Sequence, residues 1–224
     1  MKNLIKFSIF CISLLSLFSC GGGGGSGSGS SSGVRLINAG MDAPPATVIS
    51  TLAGSEAPLA TRFATTSDRF SAEAGSQRFL VNRGAIDGTT LASVSADYNP
   101  EIPSSLILFG DQDALGLRVI LLSDDAGEIP KGKVAIKVVH TLNKAAEINF
   151  ALTSTLGNSS GEVSYGQASS YQIIDPGLYR LSVSRSADNL QVISQEHTFL
   201  AGESYTIVVC GEVDFFVKAA QFVD

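Results

Sequence analysis

Tryptophan is absent from this 224-residue sequence, and histidine and cysteine are scarce, with two and three residues. Without tryptophan the chain lacks the largest flat aromatic side chain on which sugar rings stack. The histidines, His140 and His197, lie far apart and do not combine with cysteines or acids at the spacing of metal ligands. We therefore predict no metal site and interpret both histidines as structural.

Charge is also scarce, because only 16% of the residues are Asp, Glu, Lys or Arg and the formal net charge is −6. Lys2 and Lys6 lie in an N-terminal leader that contains no acid, so its removal changes −6 to −8. A negative chain is unsuited to bind phosphate backbones, which attract Lys and Arg. Nucleic acid is excluded as the expected partner.

Catalytic motifs are missing as well. No Gly-x-Ser-x-Gly elbow, Ser/His/Asp set or phosphate-cradling glycine loop occurs. The acidic pairs at Asp111 and Asp113 and at Asp124 and Asp125 lack the glycine-punctuated alternation of a calcium loop, so we interpret them as solvated turn acids. We predict no catalytic residue, no cofactor and no enzymatic activity.

The N-terminus is typical of an export signal. Two lysines precede an apolar run at residues 7–18, which is too short to cross the ~30 Å core of a bilayer as a helix. The run ends in Leu-Phe-Ser-Cys, which resembles the bacterial lipobox. We predict a signal peptide over residues 1–19 and lipidation of Cys20, the alternative being an ordinary secretory leader with an incidental cysteine.

Residues 21–33 contain only Gly and Ser and predict a solvated tether with an r.m.s. reach of about 20 Å. Residues 20–33 thus form a lipidated cysteine and its linker, which attaches the chain to a membrane. Gly21 stands where inner-membrane retention favours Asp, so we expect the outer membrane of a Gram-negative bacterium, on its periplasmic or surface face. Cys11 leaves with the leader, and Cys210 is expected to be a buried, unpaired thiol.

The remaining sequence contains two copies of one domain-sized repeat. Residues 34–38 align with 136–140 and residues 75–83 with 177–185, both at an offset of 102. Residues 106–110 align with 207–211, one residue short of that offset. We predict a diverged first repeat at 34–124, a linker at 125–133 and a second repeat at 134–224.

Alternation within each repeat has a period of two, and turn residues separate the short segments. Val134, Ile136 and Val138 face one way, and Lys137 faces the other. Residues 205–210 form an unbroken apolar run, as expected of a central strand. These patterns predict an all-β fold of two tandem immunoglobulin-like antiparallel β-sandwich domains.

Two positions sharpen this prediction. Asp175-x-Gly-x-Tyr179 has the spacing of a tyrosine corner, whose phenol bonds back to the backbone. The first repeat has Gln77 instead of the tyrosine, so we expect it to be the looser copy. Asn38 and His140 occupy equivalent positions, which indicates a shared hydrogen-bonding role at the rim of the sandwich.

Four stretches of the second repeat, at residues 138–140, 163–171, 175–183 and 200–209, resemble the bacterial domain of unknown function 4397 family. The first repeat keeps the resemblance at residues 34–38, 42–45 and 106–110. The resemblance implies secreted, often lipid-anchored immunoglobulin-like sandwiches and no established activity.

From these features we expect a non-catalytic, membrane-anchored envelope lipoprotein whose paired sandwiches mediate protein–protein interaction. The alternative is a glycan-binding or peptidoglycan-binding lipoprotein. Tyr165 and Tyr171 could offer a stacking surface, but their positions near strand starts favour half-buried roles, so the sequence gives no support to glycan binding.

Overall fold

A computed structural model describes residues 33–50, 56–84, 88–111 and 116–224. The expected signal peptide, Cys20 and most of the tether lie outside these residues. Within them the chain is all-β and contains no helix, which confirms the expected fold class. No helix with the length and apolar character needed to cross a membrane is found in the same ranges.

The strands divide into two groups along the chain. The first group is β1 (Val34–Asn38), β2 (Ala46–Ser50), β3 (Glu56–Thr61), β4 (Thr65–Thr66), β5 (Gly75–Arg83), β6 (Thr90–Tyr98), β7 (Ser104–Asp111) and β8 (Gly116–Ser123). The second group is β9 (Val134–Asn143), β10 (Glu147–Ser154), β11 (Gly157–Ser164), β12 (Gln167–Ala168), β13 (Gln172–Ile174), β14 (Gly177–Arg185), β15 (Gln191–Phe199), β16 (Ser204–Glu212) and β17 (Phe216–Val223).

Both groups have the same sheet topology. The first forms sheets of order β3–β2–β5–β6 and β4–β1–β7–β8, and the second forms β11–β10–β14–β15 and β12–β9–β16–β17, with β13 also paired to β9. One pair in each group is parallel, β1 with β7 and β9 with β16. The sequence did not predict these parallel pairs, because side chains alternate with a period of two in both parallel and antiparallel strands.

The strand registers reproduce the repeat offset. Ala46 pairs with Arg83 in the first half, and Ile148 pairs with Arg185 in the second, 102 residues further on in both strands. A register shift follows Val81 in β5 and Val183 in β14, again 102 residues apart. The repeated sequence therefore folds into two equivalent β-sandwiches.

The tyrosine corner is present in the second sandwich. Tyr179 is buried, and its phenol is hydrogen-bonded to the backbone of Asp175. Gln77 is buried at the equivalent place in the first sandwich and takes a hydrogen bond from Ser50, but its Nε2 has no partner in the described part of the chain. An unpaired buried amide destabilises a fold, as expected of the more diverged copy.

The two sandwiches pack back to back. Every residue of β1 and β9 is buried, because one face of each strand lies in its own core and the other faces the opposite half. Ile37, Ile107 and Phe109 belong to one apolar cluster with Val139 and Val208. The four sheets therefore form four layers, and the middle strands of the two central sheets, β1, β7, β9 and β16, are covered on both faces.

Asp124 ends the first half at this interface and is buried there. It accepts hydrogen bonds from Ser105 (2.6 Å) and Arg69 (2.8 Å) of its own half. Lys137 of the second half reaches across to its Oδ1 at 3.2 Å. Asp124 is therefore not a solvated turn acid: that expectation was wrong because the second sandwich covers this face. Lys137 points away from the core residues Ile136 and Val138, as expected, and lies in the interface.

Asp224 repeats the arrangement in the second half. It accepts hydrogen bonds from Thr206 (2.7 Å) and Tyr171 (2.8 Å) of its own half, and Arg35 of the first half forms the ion pair across the interface. Each half thus supplies an aspartate to a cation of the other.

Charge is not distributed evenly between the two carboxylates. Burial alone would raise the pKa of Asp124, but the charges of Arg35 and Lys137, with hydrogen bonds from Ser105 and Arg69, lower it below its usual value. Burial and the neighbouring Asp124 raise the pKa of Asp224. Asp124 is therefore the more firmly ionised of the two acids.

Candidate functional site

The histidine in β9 has a structural role that matches its counterpart in β1. His140 is buried, its Nε2 lies 3.0 Å from the carbonyl of Ala145, and the amide of Leu142 donates to its Nδ1 at 3.2 Å. Asn38 likewise accepts from the amide of Gly40 and donates to the carbonyl of Pro44. The expected shared hydrogen-bonding role is confirmed. Both ring nitrogens of His140 are occupied, and burial lowers its pKa to about 4.

His197 and Cys210 are buried as well. His197 Nδ1 contacts Gln221 at 2.8 Å, and burial lowers the pKa of the ring. Cys210 lies in the apolar cluster between the halves, and burial raises its pKa to about 12. The expectation of a buried, unpaired thiol at Cys210 is confirmed, and a neutral buried thiol is a poor nucleophile.

The tyrosines considered as a stacking surface are half-buried, as expected. Tyr165 donates to Asn143 at 2.8 Å and meets the ring of Phe109 across the interface at 5.4 Å. Tyr171 is bonded to Asp224, with the ammonium of Lys137 4.8 Å from its ring centroid. Tyr165 thus contacts the first half, whereas the contacts of Tyr171 lie within the second half, and both rings are engaged by neighbouring side chains.

The structure describes three acids of the two acidic pairs, Asp111, Asp124 and Asp125. In the described ranges no group of three or more His, Cys, Asp or Glu side chains converges where a metal ion could be held. Asp113 and the predicted lipidation site, Cys20, lie outside the described residues.

Exposed leucines mark one end of the second sandwich. Leu156, Leu178 and Leu200 are 57%, 55% and 61% exposed. Leu156 Cδ1 lies 3.0 Å from the position of a Cβ on Gly177, which adjoins Leu178. Leu200 directly follows β15, two positions after Thr198, which is the residue paired with Leu178. We call this surface, formed by Leu156, Leu178 and Leu200, the leucine end.

A polar rim borders the leucine end. Arg180 and Glu196 pair across β14 and β15 at 3.3 Å, on the same face as Leu178. A cavity of about 490 Å³ lies between Leu178, this ion pair and Thr153. An apolar centre with a charged rim is the usual anatomy of a protein interface. In the first sandwich Ser76 and Asn99 stand where Leu178 and Leu200 would be.

The sequence did not single out the leucine end, although one signal was present. Ser76 and Leu178 are equivalent by the 102-residue offset, and both face outward from their strands. An apolar residue on the outward face of one copy only is the pattern that a repeat alignment could have detected.

Comparison with protein families gives one match. Residues 32–151, more than half of the chain, match the family described as Domain of unknown function (DUF4397). The match covers the first half and ends in β10, whereas the resemblance drawn from the sequence rested mainly on the second half. No curated protein matches the chain.

Solved structures with similar chains include proposed cell adhesion proteins from Bacteroides uniformis and Bacteroides ovatus. Their identities are 9% and 10%, each alignment covers 86% of this chain and 98% and 96% of theirs, and both TM-scores are 0.28. A family 26 carbohydrate-binding module from Eubacterium rectale, solved with maltoheptaose, is 12% identical over 85% of this chain and 95% of its own, with a TM-score of 0.29. These scores are too low to transfer a ligand or a partner.

The lowered pKa of His140 makes stability depend on pH. Between pH 6.5 and about 4 the unfolded histidine takes up a proton that the folded one does not. The free energy of unfolding therefore falls as the pH falls through this window, by about 3 kcal/mol in total. His140→Asn, which installs the residue found at Asn38, should remove this part of the pH dependence in denaturant titrations.

His197→Gln is the matched control, because it removes a titrating ring and leaves His140 in place. This variant should keep the slope that His140 contributes. A His140→Asn protein with the same pH dependence as the parent would contradict the assignment.

Proposed function

Because the chain belongs to the DUF4397 family, whose description gives no function, we propose its role from its own surfaces. It is a non-catalytic, membrane-anchored envelope lipoprotein whose paired β-sandwiches mediate protein–protein interaction. The lipid anchor is Cys20, and the location is the outer membrane of a Gram-negative bacterium.

The leucine end is the observation that carries this function. Three exposed leucines at one end of the sheet leave apolar surface in water, and monomeric proteins normally limit such surface. The Arg180–Glu196 pair beside them supplies the charged rim that fixes the register of a partner. The chemistry fits a partner protein with an apolar centre and its own mixed charges.

Three features support a binding role without catalysis. The nitrogens of His140 are occupied by backbone groups, the thiol of Cys210 is buried, and the described residues hold no converging metal ligands. General acid–base or nucleophilic chemistry needs such groups exposed to a substrate.

The two halves have different roles, because they present different side chains at equivalent ends of their outer sheets. The first half presents Ser76 and Asn99 at the equivalent end, where the second presents leucines. The first half, which follows the tether, thus acts as a spacer that carries the second half away from the membrane.

The partner surface can be tested by crosslinking in the native envelope, read by mass spectrometry. Leu178→Ser with Leu200→Ser should lower the yield of the main crosslinked protein at least tenfold, since burial of each leucine in an interface contributes about 1.5–3 kcal/mol. Leu190→Ser is the matched control, because Leu190 is 48% exposed in the β14–β15 turn at the opposite end of the sheet. Equal yields from the double variant and the parent would overturn the assignment of the surface.

The anchor is tested independently. Cys20→Ala should abolish labelling by a radioactive fatty acid and leave the unprocessed precursor, because lipidation of the cysteine precedes cleavage. Normal processing of this variant would show that the leader is an ordinary secretory signal.

A further inference from the structure

A second surface lies on the outer face of the sheet β11–β10–β14–β15. Alternation along β10 points Ile148, Phe150 and Leu152 into the core and leaves Asn149 and Ala151 facing outward. A groove of about 600 Å³ crosses this face, within the size range of ligand sites. Its outward-facing side chains are Asn149, Ala151, Ser160, Glu162, Ser182 and Ser184.

The groove exists because its floor is made of small residues. Ala151 stands at the centre and pairs with Ser160 on one side and Ser182 on the other. The first sandwich has Ile49 paired with Leu80 at the positions of Ala151 and Ser182, in the same register. Larger side chains thus occupy the equivalent space in the first half.

Three polar side chains of the groove are free to bind, whereas Glu162 at its edge is engaged by Ser186 and Glu147. The side chains of Asn149, Ser182 and Ser184 have no hydrogen-bond partner within the described part of the chain. Each offers a donor and an acceptor. Glu162 adds a carboxylate, held at the groove edge by Ser186 at 3.1 Å.

This set of groups selects a class of ligand. Hydroxyls, an amide and one carboxylate match a molecule that is itself rich in hydroxyl groups, since every hydroxyl both donates and accepts. A phosphate or an acidic sugar would be repelled by Glu162, because the groove lining contains no cation to offset its charge. An apolar ligand would leave the hydroxyl groups of the lining without hydrogen-bond partners. We infer that the groove binds a neutral glycan segment, with hydroxyls of the sugar bonded to Asn149, Ser182, Ser184 and Glu162.

This binding site is separate from the leucine end and does not depend on the proposed protein interaction. No aromatic side chain faces outward in the groove lining, so the affinity comes from hydrogen bonds alone. Such binding is weak for one site and favours a polymer, which presents many equivalent segments.

Affinity electrophoresis of the full-length protein in detergent tests the inference. The gels contain one of four neutral polysaccharides (dextran, soluble starch, xylan or mannan) or, as the acidic comparison, polygalacturonate. We expect at least one neutral polysaccharide to retard the protein and polygalacturonate to leave its mobility unchanged. Retardation by none of the four neutral polymers would overturn the inference, as would equal retardation by polygalacturonate.

The groove itself is tested by Ala151→Ile with Ser182→Leu, which installs the residue types found in the first sandwich and is compatible with the same strand register. The apparent affinity should fall at least tenfold, with an unchanged circular dichroism spectrum. Asn149→Ala, which removes hydrogen bonds without filling space, should weaken binding at least threefold. Ser76→Leu, an exposed change in the first half, is the control and should bind as the parent does. Full binding by both groove variants would contradict the site.

Discussion

The rest of the structure depends on two ion pairs that cross the interface between the halves. Asp124 of the first half receives Lys137 of the second, and Asp224 of the second half receives Arg35 of the first. Burying a charge without a partner costs several kcal/mol, so each half supplies a charge that compensates a buried charge of the other half. Apolar packing around Val139 and Val208 surrounds these pairs and excludes water. The relative position of the two sandwiches follows from this arrangement.

Fixing the halves back to back decides which surfaces are left for function. The middle strands of the central sheets are covered on both faces, and the two outer sheets face opposite directions. Only the outer sheet of the second half combines exposed leucines at its end with a floor of small residues, as far as the described ranges allow the comparison. The first half has Ile49 and Leu80 at the positions of that floor. The two copies thus share one scaffold and differ in the side chains of their outer faces.

The internal repeat made most of the fold predictable from the sequence. The offset of 102 residues recurs in the strand registers, and Tyr179 and the pair Asn38 and His140 lie as their positions predicted. Asp124 was misassigned to solvent because a local sequence pattern does not show which surfaces the other half covers. The charged contacts between the halves join residues 13 positions apart (Asp124 and Lys137) and 189 positions apart (Arg35 and Asp224), and no local pattern records either pairing.

The leucine end was not predicted from the sequence, for a related reason. Its members come from the β10–β11 turn, from β14 and from the position after β15, so nothing in the local sequence joins Leu156 to Leu200. Only the folded sheet brings them to one end. Surfaces made of separate strands are therefore visible in the structure and not in the periodicity that predicts the strands themselves.

Scanning calorimetry of the full-length protein tests most directly whether the two sandwiches form one rigid unit. The calorimetric and van't Hoff enthalpies of unfolding agree when a protein unfolds in a single cooperative step. The account predicts one transition with a ratio of these enthalpies near one, because neither half can leave the interface without exposing the buried charges of the other. Two resolved transitions, each with the enthalpy of one sandwich, would contradict it.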